Sequence, residues 1–214
     1  MIRFLDAKSK NYQTKLINFL DLRRSGKNID TTIVKKILKD VKVNKKKALL
    51  KYEKKFSDNK SIKIKDNELK TSIKSLDKKI KKSIDIAYNR IFNFHKKQQR
   101  KNIFYKDKYN NKLAYKYVPL QSVGIYVPAN LPSTLLMNSI PAKIAGVKRI
   151  VLANPKLNGK LNPAVLYAAH KVGINEIYSM GGAQAIASLA YIQKVNKIVG
   201  PGNIFVAAAK KELF

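Results

Sequence analysis

The sequence predicts an α/β protein in which a helical N-terminal region precedes a parallel sheet with helices on its faces. Three observations predict it. Up to Tyr117 apolar residues recur at helical spacing, whereas beyond it short apolar strands alternate with helices. All seven prolines and eight of the nine glycines also lie beyond that point, so turns crowd the second half. The charge changes there too: residues 1–117 hold 35 basic and 11 acidic side chains, and residues 118–214 hold 10 and 2.

Element by element, Ile33, Val34, Ile37, Leu38 and Val41 form a helical stripe after a capping-competent Asp30-Thr31-Thr32, and Leu49, Leu50, Tyr52 and Phe56 continue it on a second helix. From Asn67 to Phe94 the positions Leu69, Ile73, Leu76, Ile80, Ile84, Ala87 and Ile91 step by three or four, with a break expected near Asp77. Aromatic and polar residues between Phe104 and Tyr117 flank Asn110-Asn111, a β-hairpin signal. After it come strand 123–127, helix 133–145, strand 149–152, helix 163–171, strand 176–179, helix 183–191, strand 197–199 and helix 204–211. Strictly alternating strands and helices imply parallel pairing. Gly146 and Gly173 each follow a helix and precede a strand by three residues, as left-handed helix C-caps do.

Composition narrows the function classes. With no cysteine the chain has neither a disulfide framework nor a thiolate site. No apolar run approaches the roughly 20 residues of a membrane helix, and the N-terminus lacks a signal-like stretch, so a soluble cytoplasmic protein is expected. The net charge of +32 points toward a polyanion. Its lysines, however, are spread singly and in pairs over helix faces among acidic residues, and a solvated face explains them better than a nucleic-acid surface.

Ligands of open parallel sheets bind beyond the carboxyl ends of the strands, at helix N-termini. Three loops occupy such places. The first follows Tyr126 and runs Val127-Pro128-Ala129-Asn130-Leu131-Pro132-Ser133-Thr134; the second is Met180-Gly181-Gly182-Ala183-Gln184; the third is Gly200-Pro201-Gly202-Asn203. A tyrosine, a glutamine and an asparagine there suit ring stacking and hydrogen bonds to a ribose or an amide. The plainer alternative is that the glycines serve turn geometry, Asn203 caps a helix and Tyr126 packs in the core. Neither a G-x-G-x-x-G fingerprint nor a G-K-[ST] loop is present. His95 and His170 have no ligand-spaced partner, and Glu176 and Glu212 are the only carboxylates after Val118, so neither a metal site nor a general base is expected.

Four motifs carry a family resemblance: V-P-L-Q-S-V-G-I-Y-V-P, L-P-S-T-L-L-M-N-S-I-P-A-K-I-A-G-V, I-Y-S-M-G-G-A-Q-A-I-A-S-L-A-Y and K-V-N-K-I-V-G-P-G-N-I-F-V-A-A-A-K. In this order and spacing they resemble histidinol dehydrogenase, and A-L-L-K-Y-E-K-K-F and A-Y-N-R-I-F-N-F-H-K-K-Q extend the likeness upstream. The resemblance implies NAD-dependent oxidation of histidinol to histidine with a zinc ion, by a homodimer of subunits with incomplete Rossmann-like domains. It implies cofactor contacts from Tyr126, Gln184 and Asn203.

The expected fold is thus a helical N-terminal region plus an incomplete Rossmann-like, doubly wound parallel sheet. Residues 1–117 would hold the helices and part of a first such domain, and 118–214 an NAD-binding one. The family's zinc ligands, acid/base pair and most histidinol contacts lie in a further half absent from this chain. The expectation is therefore of an NAD-binding part without activity alone, needing that half for histidinol. The alternatives are a non-catalytic nucleotide-binding module and, favoured only by charge, a nucleic-acid binder. Two departures stand out, Ala129-Asn130 in a shortened loop and an abbreviated Tyr191–Lys194 connection, and shorter loops are expected to close less fully over a cofactor.

Overall fold

The computed structural model describes residues 4–24, 31–59 and 61–213, in two compact units, Met1–Thr32 and Ile33–Phe214. The first unit contains α1 (Tyr12–Arg24). Leu16, Ile17, Phe19 and Leu20 lie on it, and none of the four is buried.

In the second unit the two expected N-terminal helices are one run, α2 (Thr32–Ser57), interrupted at Lys45 (φ 47°, ψ −126°). Each half buries its own stripe, Val34, Ile37, Leu38 and Val41 before the break and Ala48, Leu49 and Tyr52 after it. Lys35, Lys36, Lys39, Lys42, Lys51 and Lys54 are all exposed, which is the solvated face that amphipathic spacing dictates. The break expected near Asp77 separates α3 (Asp66–Ser75) from α4 (Lys78–Lys96). Asp77 caps α4, accepting from the N–H groups of Lys79 at 2.7 Å and Ile80 at 3.3 Å. The hairpin pairs β1 (Ile103–Lys106) with β2 (Lys112–Tyr115), antiparallel, and all eight strand residues are exposed. Asp107 closes its turn by accepting from Tyr109 and Asn111 N–H, with Asn110 at φ 65°.

The remaining chain alternates as expected: β3 (Ser122–Tyr126), α5 (Pro132–Ile144), β4 (Arg149–Ala153), α6 (Pro163–Val172), β5 (Glu176–Tyr178), α7 (Gly182–Tyr191), β6 (Lys197–Val199) and α8 (Ile204–Leu213). The four strands are parallel in the order β5-β4-β3-β6. Gly173, at φ 86°, ends α6 by donating to the carbonyls of Ala169 and His170. Gly146 takes the same φ after α5, so both expected caps are left-handed.

Period-two alternation divides the core between the faces of the sheet. Val123, Ile125, Leu152 and Ile177 pack with α5, α6 and Ile84 of α4 on one face. Tyr126, Val151 and Ala153 pack with α2, α7 and α8 on the other. Ile125 and Leu152, register partners, are fully buried. Burying such a side chain contributes roughly 1.5–3 kcal/mol, so this sheet, and not the exposed hairpin, holds the unit together. Segment 61–64 crosses the open edge of β5. Ser179 N–H donates to Ile62 C=O at 2.7 Å, Ile64 N–H donates to Ile177 C=O at 3.4 Å, and Lys63 bridges Tyr178 in antiparallel sense, which satisfies part of the edge. Among the described residues no helix is long and apolar enough to cross a membrane.

Candidate functional site

The strand order reverses between β3 and β6. After β3 the chain moves outward to β4 and β5, then returns to the other side of β3. The crevice between two strands whose connections leave in opposite directions is where open α/β sheets bind ligands. Tyr126 ends β3 and the Gly200–Asn203 loop follows β6, so both stand at this point. Gly181 to Gln184 lead from β5 into α7 on the same face.

Backbone contacts draw the loops together. A Cβ on Gly200 would lie 2.0 Å from the Tyr126 carbonyl oxygen, and Gly200 has φ +102°, so only glycine allows β6 to turn this close to β3. Lys210 reaches back from α8 and donates to the Gly200 carbonyl. Burial pushes the pKa of its ammonium down. The Tyr126 hydroxyl accepts from Gly182 N–H at 3.4 Å, joining the first loop to the second. Burial pushes the pKa of that hydroxyl up, the Gly182 N–H opposes the shift and the Glu53 charge adds to it.

The three expected site residues differ in setting. Tyr126 and Gln184 are 5% and 3% exposed, whereas Asn203 is open to solvent. Gln184 Nε2 donates to Glu53 Oε1 at 2.9 Å. Asn203 Oδ1 accepts from Phe205 and Val206 N–H, both at 3.1 Å, capping α8. Core packing by Tyr126 and capping by Asn203, the plainer readings of those residues, are therefore both present.

Two residues at this end of the sheet escape sequence reasoning. Asn154, fully buried after β4, donates through Nδ2 to the carbonyls of Val127 at 2.9 Å and Pro128 at 3.1 Å, fixing the first loop. Its Oδ1 is buried without a protein partner. Glu53, 1% exposed on α2, accepts through Oε1 from Gly181 N–H at 2.9 Å as well as from Gln184, and through Oε2 from Asn59 Nδ2 at 3.4 Å. Asn59 in turn accepts from Lys156 Nζ at 3.0 Å. Only the burial of a residue flanked by lysines would have flagged Glu53, and burial is not written locally in K-Y-E-K-K.

Burial pushes the Glu53 carboxyl above its ordinary value, against the N–H of Gly181, the amides of Gln184 and Asn59, and the charge of Lys156. A carboxyl whose folded pKa is raised contributes most to stability below its unfolded pKa and loses that contribution as pH rises through the folded one. Urea unfolding of wild type and Glu53→Gln between about pH 4 and pH 8 should therefore show the difference moving in favour of the glutamine variant as pH rises. A constant difference, or one moving the other way, contradicts it.

A groove of about 870 Å³ lies elsewhere. Its walls include His95, Asn102, Tyr117, Met137 and Pro141, and none of Tyr126, Gln184 and Asn203. Size alone does not outweigh topology: this open groove lacks a cluster of buried, oriented polar groups, and the strand ends have one. Among the described residues no three histidines, cysteines or carboxylates gather as a metal site. The zinc implied by the resemblance thus does not fit the described side chains.

Comparison with known proteins accords with this architecture. A family model described as histidinol dehydrogenase matches residues 22–214. The histidinol dehydrogenase of Pelagibacter ubique is 54% identical over all of this chain and 52% of its own length. That of Agrobacterium fabrum is 38% identical with the same coverage. The crystal structure of histidinol dehydrogenase from Elizabethkingia anophelis superposes with a TM-score of 0.82 at 36% identity, over 87% of this chain and 46% of that one. The chain spans about half the length of the curated relatives it matches. With the family model covering nearly all of it, the chain belongs to the histidinol dehydrogenase family.

Proposed function

We propose that this chain is the NAD-binding part of a histidinol dehydrogenase, an enzyme of histidine biosynthesis that oxidises histidinol to histidine. Tyr126, Gln184 and Asn203 meet the cofactor, and the chain alone does not turn over. The observation that carries the reading is the reversal of strand order between β3 and β6, with candidate residues beside it or on the adjoining loop. Family membership supplies the identity of the ligand.

The residues fit a dinucleotide in kind. Glycines at 181, 182, 200 and 202 keep side chains off the loops, Lys210 brings positive charge to the Gly200 turn, and Tyr126 and Gln184 offer hydroxyl and amide groups. NAD, when bound, accepts hydride. The chain's own part is to orient it: Asn203 orders the start of α8, Asn154 holds the loop after β3, and the Tyr126 hydroxyl, which accepts from Gly182 N–H, has its own proton to donate.

Titration calorimetry of the 214-residue chain with NAD tests the reading. Saturable binding is expected, weakened about tenfold or more by Gln184→Ala, the size of a lost hydrogen bond in a buried site. Asn203→Ala should weaken it too, with about 1 kcal/mol of stability lost from the uncapped helix. No binding by wild type at millimolar NAD would overturn the proposal.

A further inference from the structure

Glu53 is a buried carboxylate for which the cofactor reading has no role. It lies on α2, 128 residues before Gly181 and 131 before Gln184, yet one of its oxygens accepts from both, each at 2.9 Å. A carboxylate this deeply buried is costly unless its hydrogen bonds are good. Here they are spent on the turn between β5 and α7.

The geometry also fixes the direction of the Gln184 amide. As a carboxylate Glu53 is acceptor-only, and its Oε1 takes the Gly181 N–H and the NH₂ end of Gln184. The carbonyl end is turned over Gly182, where a Cβ would come within 2.9 Å of Gln184 Oε1. Gly182 lacks that Cβ and its own N–H is held by Tyr126. Thus Glu53 and Tyr126 secure the turn from two sides, and the remaining end of Gln184 is a hydrogen-bond acceptor.

We propose that Glu53 is the positioning residue of the cofactor site: it holds Gly181 and Gln184 from α2, so that Gln184 offers its carbonyl oxygen to hydrogen-bond donors of the nucleotide, such as ribose hydroxyls or a carboxamide NH₂. The inference rests on the reading of Gln184 as a cofactor contact. Glu53 itself does not touch the ligand; it acts through Gln184. Asn59 and Lys156 steady it from the other side, Asn59 also donating to the Ser179 carbonyl at 2.5 Å.

A double-mutant cycle on the full chain tests this, with NAD affinity by calorimetry and the Gln184 side-chain amide by ¹⁵N NMR. Glu53→Ala should weaken NAD about tenfold, while Glu53→Gln, whose carbonyl can accept from the same two donors, should stay within about threefold. In a Gln184→Ala background Glu53→Ala should add less than about twofold, since residues acting through one contact are not additive. Additive losses, or failure of Glu53→Gln to rescue, overturn the proposal, because a residue needed only for stability would act equally in both backgrounds. If Glu53→Ala does not fold, the glutamine variant in both backgrounds decides alone: affinity lost with the fold intact overturns the proposal, and affinity retained supports it. Absence of NAD binding by wild type overturns the cofactor reading instead. The positioning claim is then judged by the Gln184 NH₂ signals, which should be protected from exchange in wild type and Glu53→Gln. Unprotected signals in wild type overturn it.

Discussion

Gly200→Ala should lower the melting temperature by about 10 °C and abolish NAD binding. The new methyl group would meet the Tyr126 carbonyl oxygen at 2.0 Å, at a φ of +102° that L-residues rarely adopt. Backbone atoms cannot rotate aside as a side chain can, so β6 must move away from β3. Conformational strain of about 1–2 kcal/mol and overpacking of about 1–3 kcal/mol add to roughly 2–5 kcal/mol. In a chain this long each kcal/mol shifts the midpoint by about 2–4 °C. Gly159→Ala is the control: φ is +75° but nothing lies within 4 Å of the new atom, so strain alone acts and the shift should be a few degrees. Calorimetric melting of both variants checks the pair. Equal effects would mean that the approach of β6 to β3 is not what Gly200 serves.

Given histidinol, NAD and zinc, the chain by itself should form no detectable NADH. Oxidation of an alcohol by NAD would also need an acceptor for the alcohol proton, and a positioned base is worth about 10²- to 10⁴-fold. The described groups at the strand ends do not supply one. His95 bonds Gln98 at 2.7 Å and lines the distant groove; His170 lies on the surface near the end of α6. Glu176 is tied to Arg149 at 2.7 Å and Glu212 to Lys35 at 3.6 Å. Glu53 is enclosed under three donors. Absorbance at the NADH band over hours is the readout, and steady turnover would refute this account of how the work is divided.

Local physics made much of the fold legible. Alternation of short apolar runs with Gly-capped helices located every element after Val118 to within a residue or two, and Asp77 marked the start of α4 because a cap is a local device. Strand order was different in kind. Alternation implies parallel strands but not the return of β6 to the far side of β3, which depends on contacts between distant residues. Glu53 was missed because its environment is made by Gly181, Gln184 and Asn59, while its sequence neighbours are solvated lysines. Tyr126, Gln184 and Asn203 were singled out by their places at strand ends, which is topological information; their hydrogen bonds were not foreseeable. The high positive charge, in turn, lies on exposed lysines such as those of α2, as amphipathic spacing requires.

The proposal requires NAD to bind at the strand ends of this chain, and amide chemical shifts of the ¹⁵N-labelled protein during an NAD titration test it most directly. The shifts should concentrate at Tyr126, Gly181–Gln184 and Gly200–Asn203, on both sides of the point where strand order reverses. Shifts confined to the groove walls around His95, Asn102 and Met137, with the strand ends unmoved, would contradict it.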